Sequence, residues 1–142
     1  MALEGFRVLD MTVWHHGPGA GALLADMGAE VIKIEERLSG DPGRFSMGLG
    51  MHTNTHPLSY YFENNNRNKK GFAIDLKKER GREVMYRLVE KSDVLLSNFR
   101  RSGLERLGLG YEELKKVNPR LIYSHGTGQG DEGPFANRAS GD

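Results

Sequence analysis

The chain has 142 residues, 37% of them apolar and 27% charged, with 20 basic side chains against 19 acidic ones. That length suits one domain with a sizeable core, and a formal charge of +1 gives no general pull towards nucleic acid, so any anion site has to be a local cluster. The absence of cysteine excludes a disulfide framework and thiol catalysis.

The amino terminus, Met-Ala-Leu-Glu-Gly-Phe-Arg, lacks the basic start and apolar stretch of a signal peptide. Apolar runs elsewhere are too short to span a bilayer. A soluble, cytoplasmic chain without membrane or nucleic-acid partners is expected. Phe6 to Met11 reads as a strand. Ala20, Leu23, Leu24 and Met27 then recur at helical spacing, with Gly28 as the C-terminal cap. Val31 to Glu35 is β-branched and completes a strand–helix–strand unit, the signature of two parallel strands joined by a right-handed crossover. Arg37 to Asn68 carries no periodicity and reads as a long irregular excursion with a short helical turn near Tyr60 and Tyr61. Gly71 to Leu76 is a further strand, and Val84, Met85, Leu88 and Val89 mark a helix from about Lys78 to Lys91. Asp93 to Ser97 is a strand, Leu104 and Leu107 sit on a helical turn, and Tyr111, Leu114 and Val117 mark a helix stopped by Asn118-Pro119. Leu121 to Ser124 is the last strand, before the glycine-rich run Gly126 to Gly133. Alternating strands and helices predict an α/β, Rossmann-like fold: a mostly parallel sheet with helices on both faces.

Gly17-Pro18-Gly19-Ala20-Gly21-Ala22 satisfies G-x-G-x-x-A, and Glu35 ends the next strand where a dinucleotide site places its ribose-binding acid. A nicotinamide or flavin dinucleotide is therefore one reading of the turn, and close helix–sheet packing is the other. Against the dinucleotide, Thr12-Val13-Trp14-His15-His16 intervene between strand and glycine, and Pro18 removes a backbone donor. Basic residues cluster at Arg67, Lys69 and Lys70 before one strand and at Arg100, Arg101 and Arg106 after another. Strand-end loops are where α/β sheets bind ligands, and such groups suit a polyphosphate. His52 and His56 share a face only if helical, and Thr53, Thr55 and Pro57 oppose that, so no metal site is expected. No G-x-S-x-G occurs, which removes the hydrolase elbow.

Ordered blocks along the whole chain resemble the amino-terminal part of the family III CoA-transferases, a superfamily that also holds acyl-CoA racemases. They are Leu3 to Asp10, Gly17-Pro18, Leu24 to Glu35, Gly40-Asp41-Pro42 with Arg44, Asn66 to Lys70 and Ile74-Asp75-Leu76. Asp93-Val94-Leu95, Asn98-Phe99-Arg100, Leu104 to Tyr111, Asn118 to Tyr123 and Gly133-Pro134 follow. The resemblance implies a modified Rossmann domain that binds CoA or acyl-CoA as substrate, with no permanently bound cofactor and no metal. By position, Trp14, His15 and His16 match the loop along the pantetheine. Asn68, Lys69, Lys70, Asn98, Phe99 and Arg106 match the segments at the nucleotide end, with Lys69, Lys70 and Arg106 as phosphate partners. Glu36 and Arg37 stand where many members have Arg-Pro, which implies that the adenine contact is either shifted, with Arg37 as its candidate, or lost.

The implied reaction moves CoA from an acyl-CoA to a carboxylic acid through an aspartyl-CoA thioester. The family's nucleophilic aspartate falls beyond Asp142, so no catalytic residue is assigned and residues 1–142 correspond to part of the CoA-binding domain. Implied partners are a CoA thioester, a carboxylic acid, and a second chain, either an interlocked copy of the full-length protein or a complementary subunit. Gly141 stands where racemases carry a histidine before the residue matching Asp142. A racemase, an NAD- or FAD-dependent oxidoreductase domain and a non-catalytic subunit are the alternatives.

Overall fold

Five strands alternate with helices in chain order: β1 (Arg7–Met11), α1 (His16–Asp26), β2 (Glu30–Glu36), a 3-10 turn (Pro42–Arg44), α2 (Tyr60–Asn66), β3 (Lys70–Ile74), α3 (Glu79–Glu90), β4 (Val94–Ser97), α4 (Arg101–Arg106), α5 (Tyr111–Val117) and β5 (Ile122–His125). The structure is a computed structural model that describes residues 1–45, 59–136 and 138–140. The sheet runs β3-β2-β1-β4-β5, and every pairing in it is parallel. This is the doubly wound order, in which connections from β1 lead to one side and those from β4 to the other. The crevice opens outside the carboxyl ends of β1 and β4.

Central β1 explains the two layers. Val8 packs with Ala25, Ala29, Val31 and Leu96 on the α1 side. Leu9 and Met11 point the other way, into a larger core with Met85, Val89, Leu104 and Leu114 from α3, α4 and α5. The predicted Rossmann-like architecture with helices on both faces is therefore what the chain adopts. Among the described residues, no helix is long and apolar enough to cross a membrane.

Two details differ from the sequence expectation. In α1 the buried face is Gly17, Pro18, Gly21, Ala22 and Ala25, while Leu23 and Met27 of the expected apolar stripe are 60% and 48% exposed. The helix turns its smallest residues to the sheet because it lies close over polar groups. It ends as expected: Gly28, at φ 103°, donates to Ala25 O, and Ala29 donates to Leu24 O. Within the excursion Arg37–Asn68, the turn expected near Tyr60 is a full helix, α2, capped by the Ser59 hydroxyl accepting from the Phe62 N–H. It packs on α1. His52 and His56 lie outside the described residues.

Candidate functional site at the carboxyl ends of the sheet

The loop Thr12–His15 leaves β1 at the switch point, and side chains from four different segments hold its backbone. The Thr12 N–H donates to Asp10 Oδ1 at 3.0 Å, and the Thr12 hydroxyl donates to the same oxygen. The Thr12 carbonyl accepts from Lys33 Nζ at 2.6 Å. Asn98, just after β4, takes both sides of Val13: its Oδ1 accepts from the Val13 N–H at 2.9 Å and its Nδ2 donates to the Val13 carbonyl at 2.8 Å. The Trp14 N–H donates to Asp41 Oδ1 at 3.2 Å. Five consecutive backbone groups thus have side-chain partners, and Trp14 is held at φ 69°, a left-handed conformation that costs a non-glycine residue about 1–2 kcal/mol.

Behind the loop lies a balanced quartet of charges. Lys33 Nζ meets Asp41 Oδ2 at 2.7 Å, with side-chain exposures of 2% and 0%. Lys69 Nζ meets Asp10 Oδ2 at 2.6 Å, with exposures of 1% and 0%. Lys69 also donates to Pro18 O and Asn66 Oδ1, at 2.8 and 2.9 Å, so its three protons are all engaged. Burial pulls the Lys69 ammonium below the ordinary lysine range, with the Asp10 carboxylate opposing it. The glycine turn is explained here. A Cβ on Gly21 would stand 2.5 Å from Asp10 Oδ2, and one on Gly17 would stand 2.5 Å from Thr12 Cβ. These glycines let α1 close over the quartet. Glu35, the candidate ribose acid, is also engaged: its carboxylate accepts from Arg44 at 2.6 and 2.8 Å and from the Asp41 N–H at 2.9 Å.

The fold sorts the sequence-predicted residues into two groups. Trp14, His15, His16, Asn98 and Phe99 come together at the carboxyl ends of β1 and β4. Trp14 and Phe99 are 45% and 39% exposed, His15 lies against Tyr61 at 5.7 Å between ring centroids, and His16 lies against Gly126. Arg37 shares that edge, following β2, with its guanidinium 3.9 Å from Asp75. Asn68 precedes β3 and Lys70 opens it, so both lie towards the amino ends of the parallel strands. There Asn68 donates to Asp26 at 2.7 Å, and Lys70 pairs with Glu30 at 2.6 Å. The Lys69 ammonium, expected to face a phosphate, is enclosed beneath α1 with its three protons on Asp10, Pro18 and Asn66, and the Asn98 carboxamide is bonded to Val13. Arg106 is exposed on the last turn of α4.

Sequence reasoning missed Asp10, Lys33, Asp41 and the cations Lys77 and Lys78, which follow β3 at its carboxyl end. Lys33 had a signal, since a lysine at an inward position of Val-Ile-Lys-Ile-Glu demands a buried partner. Lys77 and Lys78 had one too, because parallel strands make the residues after β3, rather than before it, neighbours of the crevice.

The chain matches CoA-transferase family III over residues 3–142. It belongs to that family. It is 43% identical to the probable fatty acyl-CoA transferase Rv3272 of Mycobacterium tuberculosis, over 96% of this chain and 34% of that protein. Identity with the succinyl-CoA:glutarate CoA-transferase of Mus musculus is also 43%, over 99% of this chain and 31% of that protein. The crystal structure of Rv3272 superposes with a TM-score of 0.87 at 44% identity, covering 99% of this chain and 37% of that one. The family III chain described here therefore spans about a third of the length of these relatives, and it corresponds to their amino-terminal portion.

Proposed function

We propose that this family III chain is the CoA-binding portion of an acyl-CoA:carboxylate CoA-transferase. The observation that carries the reading is the loop Thr12–His15. It is fixed through five consecutive backbone groups at the switch point of a doubly wound sheet, within a chain that matches the family from residue 3 to residue 142. A fixed loop costs little to order when a ligand arrives. The exposed faces of Trp14 and Phe99, with His15 and His16, suit an extended and partly apolar thioester arm. The dinucleotide reading finds less support, because Glu35 is engaged by Arg44 and the glycines serve packing.

For the nucleotide end, the cations on the carboxyl edge are the better candidates. Arg37 follows β2 and Lys77 follows β3. Lys70 and Asn68 are the competing candidates from the other end. In the reaction, a carboxylate supplied outside these residues attacks the thioester carbonyl and forms a mixed anhydride while CoA thiolate leaves. The thiolate returns to that carboxylate's carbonyl, releasing the donor acid and leaving a CoA thioester on the protein. The acceptor acid then reverses the two steps. The part of this chain is to hold CoA through both.

Calorimetric titration with CoA and dephospho-CoA tests the reading. Lys77→Ala and Arg37→Ala should each weaken CoA by about tenfold, the worth of one charge-assisted contact, and dephospho-CoA by less. Lys70→Ala should leave both affinities near those of the parent. Tighter binding of NAD than of CoA would overturn the proposal.

A further inference from the structure

The quartet presents a choice that the backbone alone does not make. Asp10 and Lys33 are direct neighbours across β1 and β2, so the shortest arrangement would pair them with each other. Instead Lys33 turns to Asp41 and Asp10 turns to Lys69. The result is that each carboxylate keeps one oxygen for its lysine and gives the other to the loop. Asp10 Oδ1 takes the Thr12 N–H, and Asp41 Oδ1 takes the Trp14 and Gly43 N–H groups, at 3.2 and 2.8 Å. Lys33 adds the Thr12 carbonyl. Buried ion pairs are poor sources of net stability, since desolvation offsets most of their attraction. Their evident product here is a fixed backbone at Trp14, a left-handed residue that only surrounding structure can maintain.

We propose that Lys33 and Asp41 are positioning residues: their buried pair sets the backbone of Trp14, and through it the orientation in which the Trp14–His16 face meets its ligand. The inference deepens the CoA reading and rests on it for the identity of the ligand. The link from pair to loop is independent of that identity.

Trp14 is the chain's single tryptophan, so its fluorescence reports this loop alone. Asp41→Ala should raise acrylamide quenching of Trp14 about twofold. Asp41→Asn, which keeps an oxygen for the Trp14 and Gly43 amides but leaves Lys33 without its carboxylate, should give quenching between that of the alanine variant and that of the parent. The double variant Lys33→Met with Asp41→Leu removes the pair without leaving a lone charge. Its unfolding midpoint should recover towards the parent's compared with Lys33→Met alone, while quenching stays raised and CoA affinity stays down about tenfold. A double variant with parental quenching and parental CoA affinity would show the pair to be structural only. If that variant does not fold, the Asn and Ala variants at position 41 decide, and equal quenching in the two overturns the proposal. A parent chain that binds no CoA while the quenching series behaves as described would refute the CoA reading and leave the positioning role standing.

Discussion

At the carboxyl ends of β1 and β4, polar side chains are spent on backbone. Asp10, Lys33, Asp41 and Asn98 together fix Thr12, Val13 and Trp14, and three of the four are almost wholly buried. At the amino ends of β2 and β3, charged side chains pair with one another in water instead: Arg67 with Asp26, and both Lys70 and Arg7 with Glu30. Both ends are rich in charge, yet they do different things with it. An exposed pair contributes little and constrains little. A buried carboxylate whose second oxygen reaches a loop N–H turns its burial into geometry. Charge is hidden at the carboxyl ends of β1 and β4 and left exposed at the amino ends of β2 and β3.

Lys69 and Lys70, adjacent in sequence, are the sharpest place to break this contrast. Lys69→Met leaves Asp10 buried without its partner and is expected to cost about 3–5 kcal/mol of stability. Lys70→Ala removes a pair whose lysine side chain is 72% exposed and is expected to cost under about 1 kcal/mol. Urea unfolding of the two variants side by side measures the difference. Equal losses would mean that the quartet is solvated after all.

Asparagine offers the next comparison. Asn98→Ala strips two hydrogen bonds from Val13 and should cost about 1–3 kcal/mol, with faster amide exchange at Val13 and Trp14. Asn68→Gly removes one exposed bond to Asp26 while preserving the left-handed backbone at φ 61°, and should stay within about 0.5 kcal/mol of the parent. Equal exchange at the Val13 amide in the two variants would sink the claim that Asn98 holds the loop.

The element order was legible because it rests on periodicity and punctuation, which are local. The β-branched run at Val31–Ile34, the stop at Asn118-Pro119 and the cap at Gly28 each act within a few residues. The buried side of α1 was not legible, since Leu23 and Met27 look like core until the polar groups under the helix are known. Of the candidate site, Asn98 and Phe99 were legible from their place directly after a strand, while Trp14, His15 and His16 came from the family likeness alone; the fold sets all five at the carboxyl ends of β1 and β4. The partners of Lys33 and Lys69 lie 8 and 59 residues away along the chain, and only the parallel register of β1, β2 and β3 brings them into one layer. The same register sets Asn68 and Lys70 towards the amino ends of the strands while Lys69 reaches Asp10.

The smallest expected effect concerns Glu35, which joins the exposed and hidden uses of charge. Its carboxylate accepts from Arg44, whose side chain is 43% exposed, and from the backbone N–H of Asp41, the residue that addresses Trp14. Burial pushes the Glu35 carboxyl up, but hydrogen bonds from Arg44 and the Asp41 N–H, with the charges of Arg44 and Lys33, outweigh it and hold the group below its ordinary 4.5. A carboxyl lowered by folding binds protons more weakly in the native state than in the unfolded one. Its contribution is therefore fully present above that ordinary value and is lost as pH falls through the lower, native value. Glu35→Gln removes the titration while keeping an acceptor for the Asp41 N–H. The parent should exceed this variant by about 0.5–1 kcal/mol at neutral pH, a magnitude limited by the exposure of Arg44. The gap should close as the solution is taken well below pH 4.5, the group's ordinary value. Trp14 quenching recorded at the same pH steps should rise in the parent as the gap closes, because a protonated Glu35 holds Asp41 less firmly. A gap that persists unchanged into acid would mean that Glu35 stabilises the fold by packing and not through its charge.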